Sequence, residues 1–359
     1  MERLKLELAE GWNEVDALAD APELLVETEG RLRHVRRDFS EIADFGPVGP
    51  VDCPIAYDPA CRKAYRYVCE YRPRKRDFSE LRAFDLKTGE YQVLMRLPLN
   101  QWVLWLLEWF GGAGPEDDGR LFGLLATDVP VEAGITIRHQ LFSLDPKTGR
   151  PLLRPVSRDA FYPLALSRKR RELLFAGAEG IYILGLKGER LAALTELQRP
   201  GGRGGGFDPS GRARVALGGN GLFLWDFEGG GCRRIAPRGQ FPAWSPDGRG
   251  IWHLQSSSDL YLYDLQTERC HCVVAVRGNR NPELSYARAP LPSPCGRFLA
   301  LPLTLKFLHG VSGKASVSGE RERVYGYRHA SCILDLERKE ICQTPGFISA
   351  FRWLGSHPQ

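Results

Sequence analysis

Six stretches of this chain fall into one register when laid side by side: ELRAFDLKTGE (80–90), QLFSLDPKTGR (140–150), GIYILGLKGER (180–190), GLFLWDFEGGG (221–231), DLYLYDLQTER (259–269) and SCILDLERKE (331–340). A recurrence of this kind constrains the fold more than any single motif, because it means the chain is assembled from copies of one supersecondary unit. One column reads Asp85, Asp145, Gly185, Asp226, Asp264, Asp335, and the column before it Phe84, Leu144, Leu184, Trp225, Tyr263, Leu334. Within each copy both alternating sets are apolar or aromatic, as in Leu260 and Leu262 against Tyr261 and Tyr263. That predicts strands buried on both faces. A polar turn and a short outer strand follow, such as CRRIAP or CHCVVAV, completing a hairpin.

The turn that opens each unit recurs as well: DPACR (58–62), DPSGR (208–212), SPDGR (245–249) and SPCGR (293–297), with SRKRR (167–171) and EDDGR (116–120) as degenerate copies. Proline at the second position presets φ, and glycine or a polar residue closes the turn. Five steps separate Arg62 from Arg297, so a unit averages about 47 residues, close to a four-stranded propeller blade. The expected fold is all-β, a β-propeller of four-stranded antiparallel blades, forming a single domain over residues 1–359.

Six full blades occupy 51–345, and GFISAFRWLGS (346–356) is an inner-strand pattern without its three partners. LKLELAE (4–10), PELLVETE (22–29) and RLRHVRRD (31–38) read as those partners, so a closing blade is expected from 346–356 plus 4–38. The ring would then be closed by N- and C-terminal strands and have seven blades, with six or eight as alternatives. Closure removes exposed sheet edges. NEVDALAD (13–20) has a helix-like pattern.

At these residues a family resemblance enters. AWSPDGRGIW with DLYLYDLQTE resembles the repeat of TolB-like propellers, and GLFLWDFEGGGCRRI is similar to the strand-turn-strand end of a WD40-like repeat. No Gly-His dipeptide occurs, so the WD hydrogen-bond network that needs it is not implied, and the chain stands nearer the TolB-like side. The resemblance implies an interaction platform rather than an enzyme. It does not carry over a periplasmic address, since MERLKLELAEGWNEVD lacks the apolar core of a secretory signal and a cytoplasmic location is expected.

Composition narrows the function classes. Hydrophobic residues at 43% and charged residues at 26% suit a soluble globular chain. QWVLWLLEWF (101–110) carries Glu108 and falls far below the roughly 18 to 20 residues of a membrane span, so no membrane partner is expected. A net charge of +5, with 49 basic residues among 44 acidic ones, does not suggest nucleic acid. Nine cysteines, an odd number without a disulfide framework, point to free thiols.

The search for chemistry returns little. No Gly-x-Ser-x-Gly, HExxH or phosphate-binding P-loop is present, and the chain leaves no room for the hydrolase domain that prolyl oligopeptidases join to a similar propeller. Metal-dependent propeller lactonases place ligands on inner strands, but the expected inner strands offer only Asp52 and Glu108, better read as rim charges. In Cys270-His271-Cys272 successive side chains of a strand point to opposite faces, so the three cannot share one zinc ion. His253 and His329 read as packing residues. GGRGGGFDPSG (201–211) lacks a following helix and reads as a flexible connection. No catalytic residue, cofactor, metal or small-molecule ligand is expected.

What remains is a face. In a four-stranded blade the second-to-third-strand connections and the blade-to-blade connections share one side of the disc. Sorting the long segments that way puts 71–80, 127–134, 198–206, 276–283 and 306–328 together, and oversized loops on a rigid scaffold carry function. Arg72, Arg74, Lys75 and Arg76, with Lys306, Lys314, Arg321 and Arg323, would form a basic arc suited to a protein partner with an acidic surface. The expectation is a non-enzymatic protein-interaction scaffold, and the alternative is an enzyme, hydrolase or lactonase-like, acting at an axial pocket.

Overall fold

In the computed structural model the described residues are 6–7, 10–48, 53–72, 75–111, 119–132, 134–156, 160–177, 179–195, 204–255, 259–275, 277–278, 283–285, 289–315, 321–344 and 348–354. Seven antiparallel sheets of at least four strands follow one another around an axis. The fold is a seven-bladed β-propeller. Blade one comprises Ala56–Asp58, Lys63–Arg72, Lys75–Asp85 and Tyr91–Arg96, and blade two Gln101–Phe110, Arg120–Val131, Gly134–Asp145 and Arg150–Pro155. Blade three runs Ala160–Ser167, Glu172–Gly177, Ile181–Gly185 and Arg190–Leu194; blade four runs Gly205–Phe207, Arg214–Gly218, Leu222–Asp226 and Gly231–Ala236. Blade five is Gln240–Trp244, Gly250–Leu254, Asp259–Asp264 and Arg269–Ala275. In blade six Leu291–Pro292 and Glu283–Ser285 both pair with Phe298–Ala315, which leads to Arg321–Asp335 and Glu340–Gln343.

The aspartate column has a local cause. At the end of the third strand in five blades the carboxylate accepts the backbone N–H groups of the turn that follows: Lys87 and Thr88 on Asp85 (2.8 and 3.2 Å), Lys147 on Asp145 (2.9 Å), Gly229 on Asp226 (2.7 Å), Gln266 and Thr267 on Asp264 (2.7 and 3.0 Å), Glu337 and Arg338 on Asp335 (both 3.1 Å). An Asx turn satisfies donors that a two-stranded hairpin would otherwise leave open. Gly89 and Gly149 complete two of these turns at φ of 78° and 66°, where a side chain is strained.

The core is not one body but seven. Each hydrophobic cluster spans one interface between neighbouring blades: Tyr65, Leu81, Val103 and Leu125 join blades one and two; Leu174, Ile183, Val215 and Trp225 join three and four; Leu254, Leu260, Leu299 and Leu334 join five and six. This explains why third strands such as Ile181–Gly185 are buried at every position. The last two interfaces flank the closing blade, with Leu24, Val26, Phe298 and Ile333 toward blade six and Leu25, Leu32, Tyr57 and Phe84 toward blade one.

The closing blade contains Ile348–Trp353 from the C-terminal side and Leu24–Thr28, Arg31–Val35 and Glu41–Pro47 from the N-terminal side. The expected closure by both ends is therefore found, with the strands shifted. LKLELAE is not in this blade: Leu6–Glu7 pairs instead with Arg277–Gly278, and the outer strand is Glu41–Pro47, just beyond the expected limit at residue 38. The helix-like pattern of NEVDALAD is also overridden, because Asn13–Val15 lies parallel to Glu340–Gln343 and covers the outer edge of blade six. Pairing with an open sheet edge outweighs a helical preference spread over eight residues.

Two inner strands differ from expectation as well. Part of the glycine run is the inner strand of blade four: Gly205–Phe207 pairs with Val215–Leu217, and Trp244 Nε1 donates to Gly206 O at 2.8 Å. A Cβ on Gly205 would fall 2.8 Å from Leu174 Cδ2, so glycine is what lets the backbone approach blade three. In blade six the inner position holds two short pairings, Glu283–Ser285 and Leu291–Pro292, both against Phe298–Ala315.

Candidate functional site

Blade architecture sets a standard length against which three pairs of strands stand out. Second and third strands are five or six residues long in blades three, four and five. In blade one they have 10 and 11 residues, in blade two 12 each, and in blade six 18 and 15. The excess continues beyond the blade as paired ribbons on the side of the blade-to-blade connections. Among the described residues, the segments 71–80, 127–134 and 306–328, expected as loops, are thus largely hydrogen-bonded hairpins.

The register places the basic residues on these ribbons. Arg72 stands opposite Lys75 at the end of the blade-one ribbon, and Arg76 opposite Tyr71. On blade six Lys306 faces Tyr327, Arg323 faces Val311, Arg321 faces Ala315, and Lys314 falls in the irregular stretch between Val311 and Ala315. Arg74 lies outside the described residues, as do Asp52 and most of the 198–206 and 276–283 connections. Blades six and one flank the closing blade, and blade two follows blade one, so the three ribbons fall within four consecutive blades of the ring.

An apolar element was hidden in the same face. On the blade-two ribbon Ile135 and Ile137 are 72% and 50% exposed, two residues apart and therefore on one face, with Pro130 directly across from Ile135. The alternation in GITIR carries the signal, but a period of two also describes a half-buried strand, and only the ribbon's projection separates the two cases.

At the axis the inner strands bring together three charges from three blades. Glu108 on blade two receives Arg352 of the closing blade through Nη2 at 3.0 Å and Nη1 at 3.3 Å, and Arg168, just past the inner strand of blade three, through Nη2. Burial pushes the Glu108 carboxyl up, but the two guanidiniums outweigh it and hold the group at about 2. A carboxylate so firmly ionised has no proton to give near neutral pH, and both its oxygens are engaged. Glu108 is thus a structural tie across the ring.

Of the remaining candidates, His253 is a packing residue. His253 is buried, stacks on Tyr261 with ring centroids 5.8 Å apart, and meets Cys270 Sγ at 3.7 Å from Nε2; burial pushes its pKa down to about 4, so the ring is neutral. Cys270 and Cys272 stand opposite Tyr263 and Tyr261, while His271 stands opposite Leu262 on the other side of the strand. His329 is opposite Thr304 at the base of the blade-six ribbon. Among the described residues no three His, Cys, Asp or Glu side chains gather in a metal-binding arrangement.

With this geometry in view, known proteins can be compared. No family model matches the chain, and no curated protein sequence does. Among solved structures it is similar to the dihydro-heme d1 dehydrogenase NirN in complex with DHE, at a TM-score of 0.56 and 15% identity over 96% of this chain and 77% of that one. The likeness is one of fold. A eukaryotic initiation factor aligns over 100% of this chain and 94% of its own at a TM-score of 0.49 and 11% identity. TolB from Acinetobacter baumannii aligns over 92% and 65% at 0.39 and 12%.

Proposed function

We propose that this propeller is a non-enzymatic, cytoplasmic protein-interaction scaffold that grips a partner with the ribbons of blades six, one and two. The observation that carries the reading is the selective lengthening of second and third strands in those three blades, to as many as 18 residues where five or six suffice for a blade. Extended hairpins present both a hydrogen-bonding backbone and alternating side chains, the chemistry by which proteins recognise other chains. Arg72, Arg74, Lys75, Arg76, Lys306, Lys314, Arg321 and Arg323 supply positive charge for an acidic partner surface, and Ile135 with Ile137 supplies an apolar anchor. The axial-enzyme alternative is less well supported, because the carboxylate at the axis is consumed by Arg168 and Arg352.

The test is charge reversal of Arg72, Arg74, Lys75 and Arg76 to Glu beside a control with four reversals on the opposite face. The ribbon variant should melt like the parent yet bind natively co-purifying partners at least about tenfold more slowly, with a flattened salt dependence. Ile135→Ser with Ile137→Ser should raise the dissociation rate instead. Equal partner recovery by the ribbon variant and the control would remove the ribbons as the binding surface.

A further inference from the structure

Two departures from the repeat converge on one place. Blade three has Gly185 where the other five aligned copies have aspartate, and it opens with SRKRR where the clearest copies have a Pro-x-Gly turn. Between blades two and three, on the face away from the ribbons, lies a cavity of about 400 Å3 that both features line. That volume falls within the range of small-molecule sites, about 300 to 1,000 Å3.

The cavity is basic. Arg120, Arg154, Arg170, Arg171 and Lys187 line it against two carboxylates, Glu172 and Glu189. Arg170 is committed to Glu172 at 2.7 and 3.0 Å and to Glu228 at 2.5 Å. Arg120 and Arg154 are held differently. Arg120 donates through Nε to Ser143 Oγ at 2.6 Å and through Nη2 to Ser143 O at 3.3 Å, and Arg154 donates to Leu186 O at 3.1 Å. These neutral acceptors orient the guanidiniums without neutralising them, although Asp145 offsets Arg120 at longer range. Lys187 adds an exposed ammonium from the turn between the third and fourth strands of blade three. Phe122 forms an apolar wall, and Leu152 and Leu191 stand at the mouth 48% and 51% exposed.

Gly185 completes the argument. An aspartate there would add a carboxylate to the wall, its Cβ requiring only that the end of the exposed Glu189 side chain, 2.3 Å away, swing aside. The turn is instead closed by backbone bonds from Gly185 N to Glu189 O and from Gly188 N to Gly185 O, each 2.9 Å. Blade three forgoes the aspartate, and the space and positive field remain. Where local rules of a repeat lapse together at one cavity, function is the physical expectation.

We propose that the cleft between blades two and three binds a small anionic ligand, a phosphate or carboxylate group carried on an apolar body. The guanidiniums of Arg120 and Arg154 and the Lys187 ammonium take the anion, and Phe122, Leu152 and Leu191 take the body. This site is independent of the ribbon face, and no partner protein is required to form it.

Titration calorimetry with phenyl phosphate and phenylacetate, against inorganic phosphate and phenol, tests it on the full chain. Saturable one-to-one binding of either aromatic anion, tighter than inorganic phosphate and absent for phenol, is the expected result; which anion prefers the site distinguishes the two headgroups. Arg120→Gln with Arg154→Gln should weaken binding by at least about tenfold. Lys187→Gln, an exposed change that cannot disturb the core, should weaken it severalfold. Gly185→Asp should restore the repeat's turn, leave melting intact and abolish binding. Failure of both aromatic anions to saturate, or equal affinity in the parent, Lys187→Gln and Gly185→Asp proteins, would overturn the proposal.

Discussion

Glu27 and Arg66 form an ion pair on second strands of adjacent blades, the closing blade and blade one, with side chains 2% and 0% exposed. Arg66 Nε donates to Glu27 Oε2 at 2.9 Å, and Nη2 reaches the same oxygen. The guanidinium also lies beside Cys53, whose thiol burial pushes up to about 11 against the lowering influence of Arg66. Glu27→Gln would leave a buried cation without its counter-charge. Breaking one side of such a pair costs about 3 to 5 kcal/mol, because the remaining charge keeps its desolvation penalty and loses its compensation. Replacing both residues with apolar side chains of similar volume, Glu27→Leu with Arg66→Met, removes both penalties and should recover most of that loss. Urea unfolding followed by tryptophan fluorescence would measure it, and hydrogen exchange would locate the weakened interface between the closing blade and blade one. A Glu27→Gln protein within about 0.5 kcal/mol of the parent, or a double variant as unstable as the single, would refute the reasoning.

Deleting 346–359 removes Ile348–Trp353 and bares the edge of Leu24–Thr28, so the truncated chain should aggregate and lose cooperative melting, which light scattering and calorimetry would register. None of the nine cysteines, all among the described residues, is in a disulfide, so alkylation of the native protein under denaturing, non-reducing conditions should add nine labels by mass. Glu108 titrates at about 2 in the fold against an ordinary 4.5, so its contribution to stability is complete above the ordinary value and disappears as pH falls through about 2. Glu108→Gln should therefore flatten the acid limb of the stability profile over that window, and an unchanged limb would contradict the axial ion cluster.

The fold was legible because each copy repeats both a local and a non-local requirement. The Asp264 column marks an Asx turn, and the two-sided apolarity of segments such as Ile181–Gly185 marks a strand between two neighbours. Strand identity failed where a single residue type can serve two ends. Gly205 reads as linker by composition, yet it pairs with Leu217 as part of an inner strand packed closely against Leu174. Asn13–Val15 reads as helix from its own residues, and its strand conformation is imposed by the open edge of Glu340–Gln343, more than 300 positions away. The projection of the ribbons was readable only as length between hairpin ends. The cleft was less legible still: its cations come from two blades, and the informative residue, Gly185, is conspicuous by what it lacks.

Closure by interleaved ends has a statistical consequence. In an open array of repeats each unit couples to its neighbours, but the two terminal units have one neighbour each, and melting starts by fraying there. Here seven clusters serve seven blades, so every blade is an interior one, and loosening any of them sacrifices two interfaces at once. The seam in the closing blade, where Leu24–Thr28 is hydrogen-bonded to Ile348–Trp353, is a boundary in sequence and not in energy. A ring of this kind behaves like a one-dimensional lattice with periodic boundary conditions, and its opening is a nucleated event whose location sequence order does not choose.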